Sequence, residues 1–168
     1  MAYRLTDFQG EAIYLDTNVL VGLVDAHSVY HPTCAPFFQQ AVEPTQPIRL
    51  ITATLTLDEV LFVLLQEMIA RSPYRITRNR SQYLQGHPDI VKDLMVQLDP
   101  LAAALCELVT LEPVTPSDIH QMRQEMRLNG TLPRDAMHLA VMQRLGLTAI
   151  ASDDAGFDNR QGIALYMP

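Results

Sequence analysis

The chain has 168 residues, 48% hydrophobic and 18% charged, a composition that excludes a disordered or fibrous protein and fits one globular domain. Its net charge of −7 disfavours a basic nucleic-acid-binding protein of the usual kind. Cys34 and Cys106 lie far apart in sequence, without metal-ligand spacing, and no apolar run reaches the length of a membrane span, so we expect a soluble cytoplasmic protein without disulfides or structural zinc.

Strands and helices are predicted to alternate along the N-terminal part of the chain. The apolar residues Ala12–Leu15 predict a strand that ends at the polar turn 16–18, and residues 19–24 predict the helix that follows. Pro32 fits the first turn of a second helix. Residues 48–51 then predict a second strand.

The middle of the chain is predicted to be helical. Residues 56–70 carry hydrophobic side chains on nearly all sides of a long helix, a pattern typical of a helix that is deeply buried or covered by a partner. Residues 71–88 contain four arginines and no acidic residue. Amphipathic patterns then predict helix at 89–98 and, after an interruption at residues 99–100, at 101–109. We expect residues 71–109 to form a helical, arginine-rich insertion.

The C-terminal part repeats the alternation. Thr115 predicts the start of a helix that Gly130 ends, and Pro133 and Gly146 bound another helix. Residues 148–151 and 163–166 predict two further strands. Together these elements predict an α/β fold, a three-layer α/β/α sandwich with a mostly parallel central sheet of four to five strands, in a single domain over residues 1–168.

Acidic residues are predicted to meet at one edge of this sheet. Ligands of an open parallel sheet bind outside the carboxyl ends of its strands, and acids that follow a strand or begin a helix lie at that edge. Four residues have such positions: Asp16, Glu59, Asp135 and Asp154.

Each of these acids also has an ordinary structural explanation. Glu59 follows Thr56 with the spacing of a capping box, in which the carboxylate only satisfies a free backbone amide. Asp135 suits the dipole at a helix N-terminus, and Asp153 or Asp154 suits the cap of a short helix. For Asp16, at the end of an apolar strand, a functional role is the better explanation.

Four stretches of the sequence resemble the motifs of one known family. In chain order they are residues 13–20 (IYLDTNVL), 55–61 (LTLDEVL), 132–140 (LPRDAMHLA) and 150–158 (IASDDAGFD). In this order they resemble the PIN-domain ribonucleases, and within them the VapC-like toxins of bacterial and archaeal toxin–antitoxin pairs.

Two features depart from the family pattern. Gly156 stands where many relatives carry a further Asp, so Asp153 stays a rival to Asp154 as the fourth acid. The region between residues 68 and 111 is longer than in the compact toxins, which leaves the substrate class and the quaternary arrangement open.

The resemblance implies hydrolysis of RNA phosphodiester bonds with Mg²⁺ or Mn²⁺. Clustered carboxylates need a counter-charge, and oxygen-only ligands select these cations. Asp16, Asp135 and Asp154 are the expected metal ligands, and Glu59 is expected to be a further ligand or to orient the attacking water. Three polar residues are expected to support them: Thr17, Asn18 and Ser152.

Positive charge for the RNA backbone is expected from the arginine-rich segment. Guanidinium groups bind phosphate, so its arginines are candidate RNA contacts, although a solvated loop explains them equally well. They are Arg71, Arg75, Arg78 and Arg80. His138 lies in an apolar run and is expected to be a packed, hydrogen-bonded histidine rather than a catalytic base.

Two other functions compete with a ribonuclease. A haloacid-dehalogenase-like phosphatase would use Asp16 as its nucleophile, but such enzymes carry a second Asp where this chain has Asn18, and the only lysine, Lys92, lies far from the acids in sequence. The other alternative is a non-catalytic PIN-fold binding module.

The apolar helix predicted at residues 57–70 needs a cover for its outer face, which includes Phe62. The candidates are the insertion, a second copy of the protein and an antitoxin segment. The resemblance to VapC toxins favours a homodimer with a bound small antitoxin protein.

Overall fold

The computed structural model describes residues 2–158 and 160–168. The strands are β1 Tyr3–Arg4, β2 Ala12–Leu15, β3 Arg49–Ala53, β4 Thr110–Glu112, β5 Ala149–Ala151 and β6 Ala164–Met167. The helices are α1 Thr17–Val24, α2 His31–Ala41, α3 Thr54–Arg71, α4 Arg80–Gly86, α5 Pro88–Leu108, α6 Pro116–Asn129 and α7 Pro133–Leu145. None of the helices within these two ranges has both the length and the apolarity needed to cross a membrane.

The strands form one sheet in the order β1-β6-β5-β2-β3-β4, and every neighbouring pair is parallel. The predicted parallel α/β fold is confirmed, but the prediction of four to five strands was too low, because the sheet has six. The two unpredicted strands, β1 and β4, are its edges. They are two and three residues long and none of their residues is buried, so they lack the apolar run that marks an inner strand.

Helices cover the sheet on both faces, and the side chains of β2 alternate between two cores. Ile13 and Leu15 point to the core built with α1, α2, α3 and α5. Tyr14 points to the opposite core, which contains Val141 and Met142 of α7. Because β2 is buried on both faces, its sequence is a continuous apolar run.

The insertion covers part of the apolar helix α3. Ile69 of α3 packs against Leu84 of α4 and Leu94 of α5, and all three are buried, whereas Phe62 stays 47% exposed. The predicted interruption of α5 at residues 99–100 was wrong, because the helix runs through Pro100. Pro100 removes one backbone hydrogen bond on the side of the exposed Val96, while buried leucines hold the other side of the helix against α3.

The pair of helices α6 and α7 is tied together by a buried carboxylate. Asp118 completes a capping box with Thr115 and accepts a hydrogen bond from Arg144 Nε of α7 at 2.9 Å. Burial alone would raise the pKa of Asp118, but the bonds from Thr115 and Arg144 hold it below its usual value. Gly130 and Gly146 end the two helices with φ of 66° and 67°, as their positions predicted.

We predict that Gly22→Ala lowers the free energy of unfolding, because α1 and α2 meet at this glycine. An added Cβ would lie 2.7 Å from Cys34 Sγ and 2.9 Å from Tyr30 Cβ, which forces the two helices apart. Overpacking of this kind costs about 1–3 kcal/mol, measurable by urea unfolding. Gly86→Ala is the matched control, because a Cβ there meets no atom within 4 Å. Equal stability of the two variants would contradict this packing.

Candidate active site

The four acids that the sequence singled out line one pocket of about 360 Å³. It lies beside the carboxyl ends of β2 and β5 and the N-terminus of α7. These two strands are neighbours in the sheet, with Leu15 opposite Ala151, although they are distant in sequence. From β2 the chain crosses to one side, through β3 and β4, and later returns to the other through β5, so the pocket lies at the switch point of the sheet, where such folds bind ligands.

Asp16 is held by the polar residues predicted to support it. It caps α1, and its carboxylate accepts hydrogen bonds from the Thr17 amide and the Ser152 hydroxyl, both at 2.6 Å. Asn18 Nδ2 lies 3.4 Å from Asp16 Oδ2, the oxygen that also accepts from Ser152. Donors that follow the ends of β2 and β5 therefore fix the orientation of the Asp16 carboxylate.

Glu59 is not the capping residue that its spacing from Thr56 suggested. Helix α3 begins at Thr54, so its cap position is Ala53 and Glu59 lies beyond the first turn, where no amide is free. The carboxylate instead accepts a hydrogen bond from the Thr17 hydroxyl at 2.9 Å and forms an ion pair with Arg134 of α7. Three elements therefore meet at Glu59.

The adjacent acids Asp153 and Asp154 diverge. Asp154 lines the pocket and accepts a hydrogen bond from the Gly156 amide at 2.7 Å, so it also caps the short 3₁₀ turn that follows. Asp153 accepts a hydrogen bond from the Tyr30 hydroxyl, and its amide donates to Asn18 Oδ1 at 3.2 Å. Of the two, Asp154 is the acid that shares the pocket with Asp16.

Asp135 shows that negative charge in the pocket is incompletely balanced. Burial raises the pKa of Asp135, and the charges of Asp154 and Asp16 raise it further. The donor set consists of carboxylate oxygens, which suit Mg²⁺ or Mn²⁺. Across residues 2–158 and 160–168, no three acidic, histidine or cysteine side chains stand close enough to hold an ion together. By the chemistry of their oxygen donors, the lining carboxylates fit a hydrated Mg²⁺, which binds only one or two carboxylates directly.

Behind the pocket lies a buried row of hydrogen-bonded polar groups, a polar chain of which the sequence predicted only His138. The Ala53 amide donates to the Tyr14 hydroxyl at 3.2 Å, and that hydroxyl is hydrogen-bonded to His138 Nδ1 at 2.9 Å. The other ring nitrogen, Nε2, lies 3.7 Å from Asp16 Oδ1. Burial raises the pKa of Tyr14 to about 12 and lowers the pKa of His138. His138 is packed and hydrogen-bonded, as predicted; Tyr14, a polar tip inside an apolar strand, was the signal that we missed.

The predicted arginine cluster does not line this pocket. Arg71 binds Asp25 through two nitrogens at 2.9 and 2.8 Å, beside a different cavity, and Arg80 binds Glu67. Among the lining residues, Arg134 is the one lysine or arginine. Its position directly before Asp135 in the third motif was the signal that could have identified it.

Comparisons with known proteins identify the family and the fold. A family model described as the PIN domain matches residues 13–163. The fold is similar to the solved structure of VapC20 from Mycobacterium tuberculosis, a toxin that cleaves the sarcin–ricin loop, with a TM-score of 0.55, 19% identity and coverage of 87% of this chain and 92% of that one. A comparison with curated proteins returned no match.

Two further solved structures are similar to this chain. PAE2754 from Pyrobaculum aerophilum has a TM-score of 0.54 and 16% identity, with coverage of 95% of this chain and 91% of that one. VapBC2 from Rickettsia felis, bound to a DNA fragment from its promoter, has a TM-score of 0.48 and 12% identity, with coverage of 93% and 98%.

We predict that Tyr14→Phe lowers the free energy of unfolding by about 1–3 kcal/mol, because the Ala53 amide and His138 Nδ1 lose their buried partner. Chemical denaturation measures the change. Tyr3→Phe is the control, because Tyr3 is 53% exposed and only stacks on Tyr166. If the two variants were equally stable, the Tyr14 hydroxyl would not hold the polar chain together.

Proposed function

The chain belongs to the PIN domain family, and we propose that it is a metal-dependent endoribonuclease that hydrolyses RNA phosphodiester bonds. The observation that carries this proposal is the pocket in which four acids from separate parts of the chain meet at the sheet's switch point. Such a cluster has no evident structural benefit, because like charges at short range destabilise one another. A site for a divalent cation explains why they are held together.

Asp16, Asp135 and Asp154 would hold Mg²⁺ or Mn²⁺, one or two of them directly and the rest through the water molecules of the ion. When bound, the ion would lower the pKa of a water molecule and stabilise charge on the phosphoryl oxygens. Ser152 and the Thr17 amide keep Asp16 pointed at the ion.

Glu59 has a different part in the proposed mechanism. Its two oxygens are engaged by Thr17 and Arg134, which supports a role in orienting the attacking water and accepting its proton rather than in binding the ion.

The phosphatase alternative finds little support in the same pocket. Asn18 replaces the second acid that such enzymes use, and it contacts Asp16 and the Asp153 amide. Lys92 is paired with Asp89 on the exposed side of α5 and does not line the pocket. A non-catalytic module would keep the fold without the reaction, and the experiment below distinguishes it.

We further propose that the protein is the cytoplasmic toxin of a VapBC-type pair, forms a homodimer and binds a small antitoxin. Exposed apolar residues near the pocket support a partner surface: Val29 is 82% exposed next to the lining residue Tyr30, and Phe62 is 47% exposed next to Val63. Arg75 and Arg78 are exposed and stay predicted RNA contacts.

Asp16→Asn is expected to abolish cleavage of total cellular RNA by the purified protein, and a chelator is expected to abolish the wild-type activity. Asparagine also caps helices well, so the variant should keep its circular dichroism spectrum. The loss should reach about 10²–10³-fold, the scale seen when a key electrostatic group is removed. Asp153→Asn is the matched control and should keep most of the activity, because Asp153 does not line the pocket and its carboxylate is bound to the Tyr30 hydroxyl.

Native-rate cleavage by Asp16→Asn would overturn the mechanism. Hydrolysis of small phosphate esters without RNA cleavage would favour the phosphatase. A wild-type protein that binds RNA but never cleaves it would be the non-catalytic module.

Light scattering during size-exclusion chromatography is expected to show a dimer. Phe62→Glu should give a folded monomer, because a charge cannot be buried unpaired at an interface. Leu128→Glu, at a residue 73% exposed on α6, should leave the dimer intact. A monomeric wild-type protein at micromolar concentration would exclude self-association.

A further inference from the structure

The acidic pocket contains one cation of its own, and its position is unusual. We propose that Arg134 contacts the phosphate of the RNA bond to be cut, exchanging its ion pair with Glu59 for that phosphate when RNA binds. This inference rests on the proposed ribonuclease function. Arg134 lines the pocket, whereas Arg71 of the arginine-rich segment lies beside another cavity.

Arg134 occupies a place where an arginine does not help the helix. It is the second residue of α7, after Pro133, where the positive end of the helix dipole favours acids such as Asp135 and disfavours cations. Its one ion pair joins it to Glu59 across a partly solvated pocket, a contact that contributes little to stability. A position that is poor for folding and central to the pocket points to a role in binding.

The surroundings of the ion pair allow Arg134 to leave Glu59 and bind another anion. The Arg134 side chain is 48% exposed, so it can turn toward a bound strand without leaving a buried hole. Glu59 keeps the hydrogen bond from Thr17 when Arg134 leaves, so its carboxylate stays oriented. Its other oxygen then becomes free to accept a proton from water.

Two other arginines of this part of the chain are engaged by acids outside the pocket. Arg144 is held by Asp118 and Glu112, and Arg160, whose charge also acts on Asp135, is held by Glu125.

An RNA phosphate needs such a group to enter the pocket. Four carboxylates repel an anion, and one divalent cation offsets only two of their charges. A guanidinium can bind two phosphoryl oxygens at once, and it becomes more favourable as negative charge grows on them during hydrolysis. Arg134 would therefore act on the rate more than on the binding of the ion.

The test compares Arg134→Ala with Arg134→Lys and with Arg123→Ala, an exposed arginine of α6 that does not line the pocket. The initial rate on limiting total RNA at saturating Mn²⁺ should fall about 100-fold in Arg134→Ala. The rate should fall less in Arg134→Lys, which keeps the charge but loses the planar group that binds two oxygens at once. It should not change in Arg123→Ala.

Isothermal titration with Mn²⁺ alone supplies a readout apart from activity. Arg134→Ala should bind Mn²⁺ at least as tightly as the wild type, because the pocket loses a positive charge, and its melting temperature should not fall. A structural role would instead weaken Mn²⁺ binding and lower the melting temperature together with the rate.

The outcomes separate this inference from the proposed function. Cleavage at the wild-type rate by Arg134→Ala, or a loss accompanied by weaker Mn²⁺ binding and a lower melting temperature, overturns the role of Arg134 alone. Absence of RNA cleavage by the wild-type protein overturns the proposed function and this inference with it.

Discussion

Repulsion among four carboxylates is the constraint on which the arrangement of the pocket depends. Each acid is compensated differently: Asp16 by fixed donors, Glu59 by a cation and a hydroxyl, and Asp154 by the amide of a short turn. Within the described part of the chain, the carboxylate of Asp135 accepts no hydrogen bond, and it is the acid whose pKa is raised. Of these partners, Arg134 is the charged one and the rest are neutral donors, so the pocket keeps a net negative charge that would attract a cation.

The parallel sheet supplies the rigidity that this constraint requires. Because Leu15 lies opposite Ala151, the next residues of the two strands, Asp16 and Ser152, meet without any loop having to place them. The Asp16 amide also donates to the Ala151 carbonyl at 3.0 Å, which extends the ladder into the site. The hydrogen bond from Ser152 to Asp16 is therefore a consequence of strand register.

Local patterns predicted the parts of the site that follow directly from strand and helix ends. Asp16 and Asp154 follow apolar strands, and Asp135 follows a proline that begins a helix. The local sequence was therefore enough to predict that these three acids lie at the same edge of the sheet. Glu59 was ambiguous because the cap of α3 is Ala53 and not Thr56, and this three-residue shift places Glu59 beyond the first turn, in the pocket. Arg134 and Tyr14 were missed because their roles depend on partners that only the sheet topology brings near.

Contacts between residues distant in sequence also explain where the prediction of the fold was wrong. The edge strands β1 and β4 are defined by backbone pairing with β6 and β3, not by their own side chains, so composition could not mark them. Pro100 is a helix breaker by local rules, but burial of leucines on one side of α5 outweighs one lost hydrogen bond. Tertiary packing decided both cases.

The position of β5 in the sheet also determines when the pocket can form during synthesis of the chain. Strand β5 stands between β2 and β6, and it is the fifth strand to leave the ribosome, so the central ladder closes late in synthesis. Until residues 149–154 have emerged, Asp16 lacks the Ser152 hydroxyl and the pocket lacks Asp154. A growing chain that already contains Asp16, Glu59 and Asp135 therefore has no assembled pocket until residues 149–154 have joined the sheet.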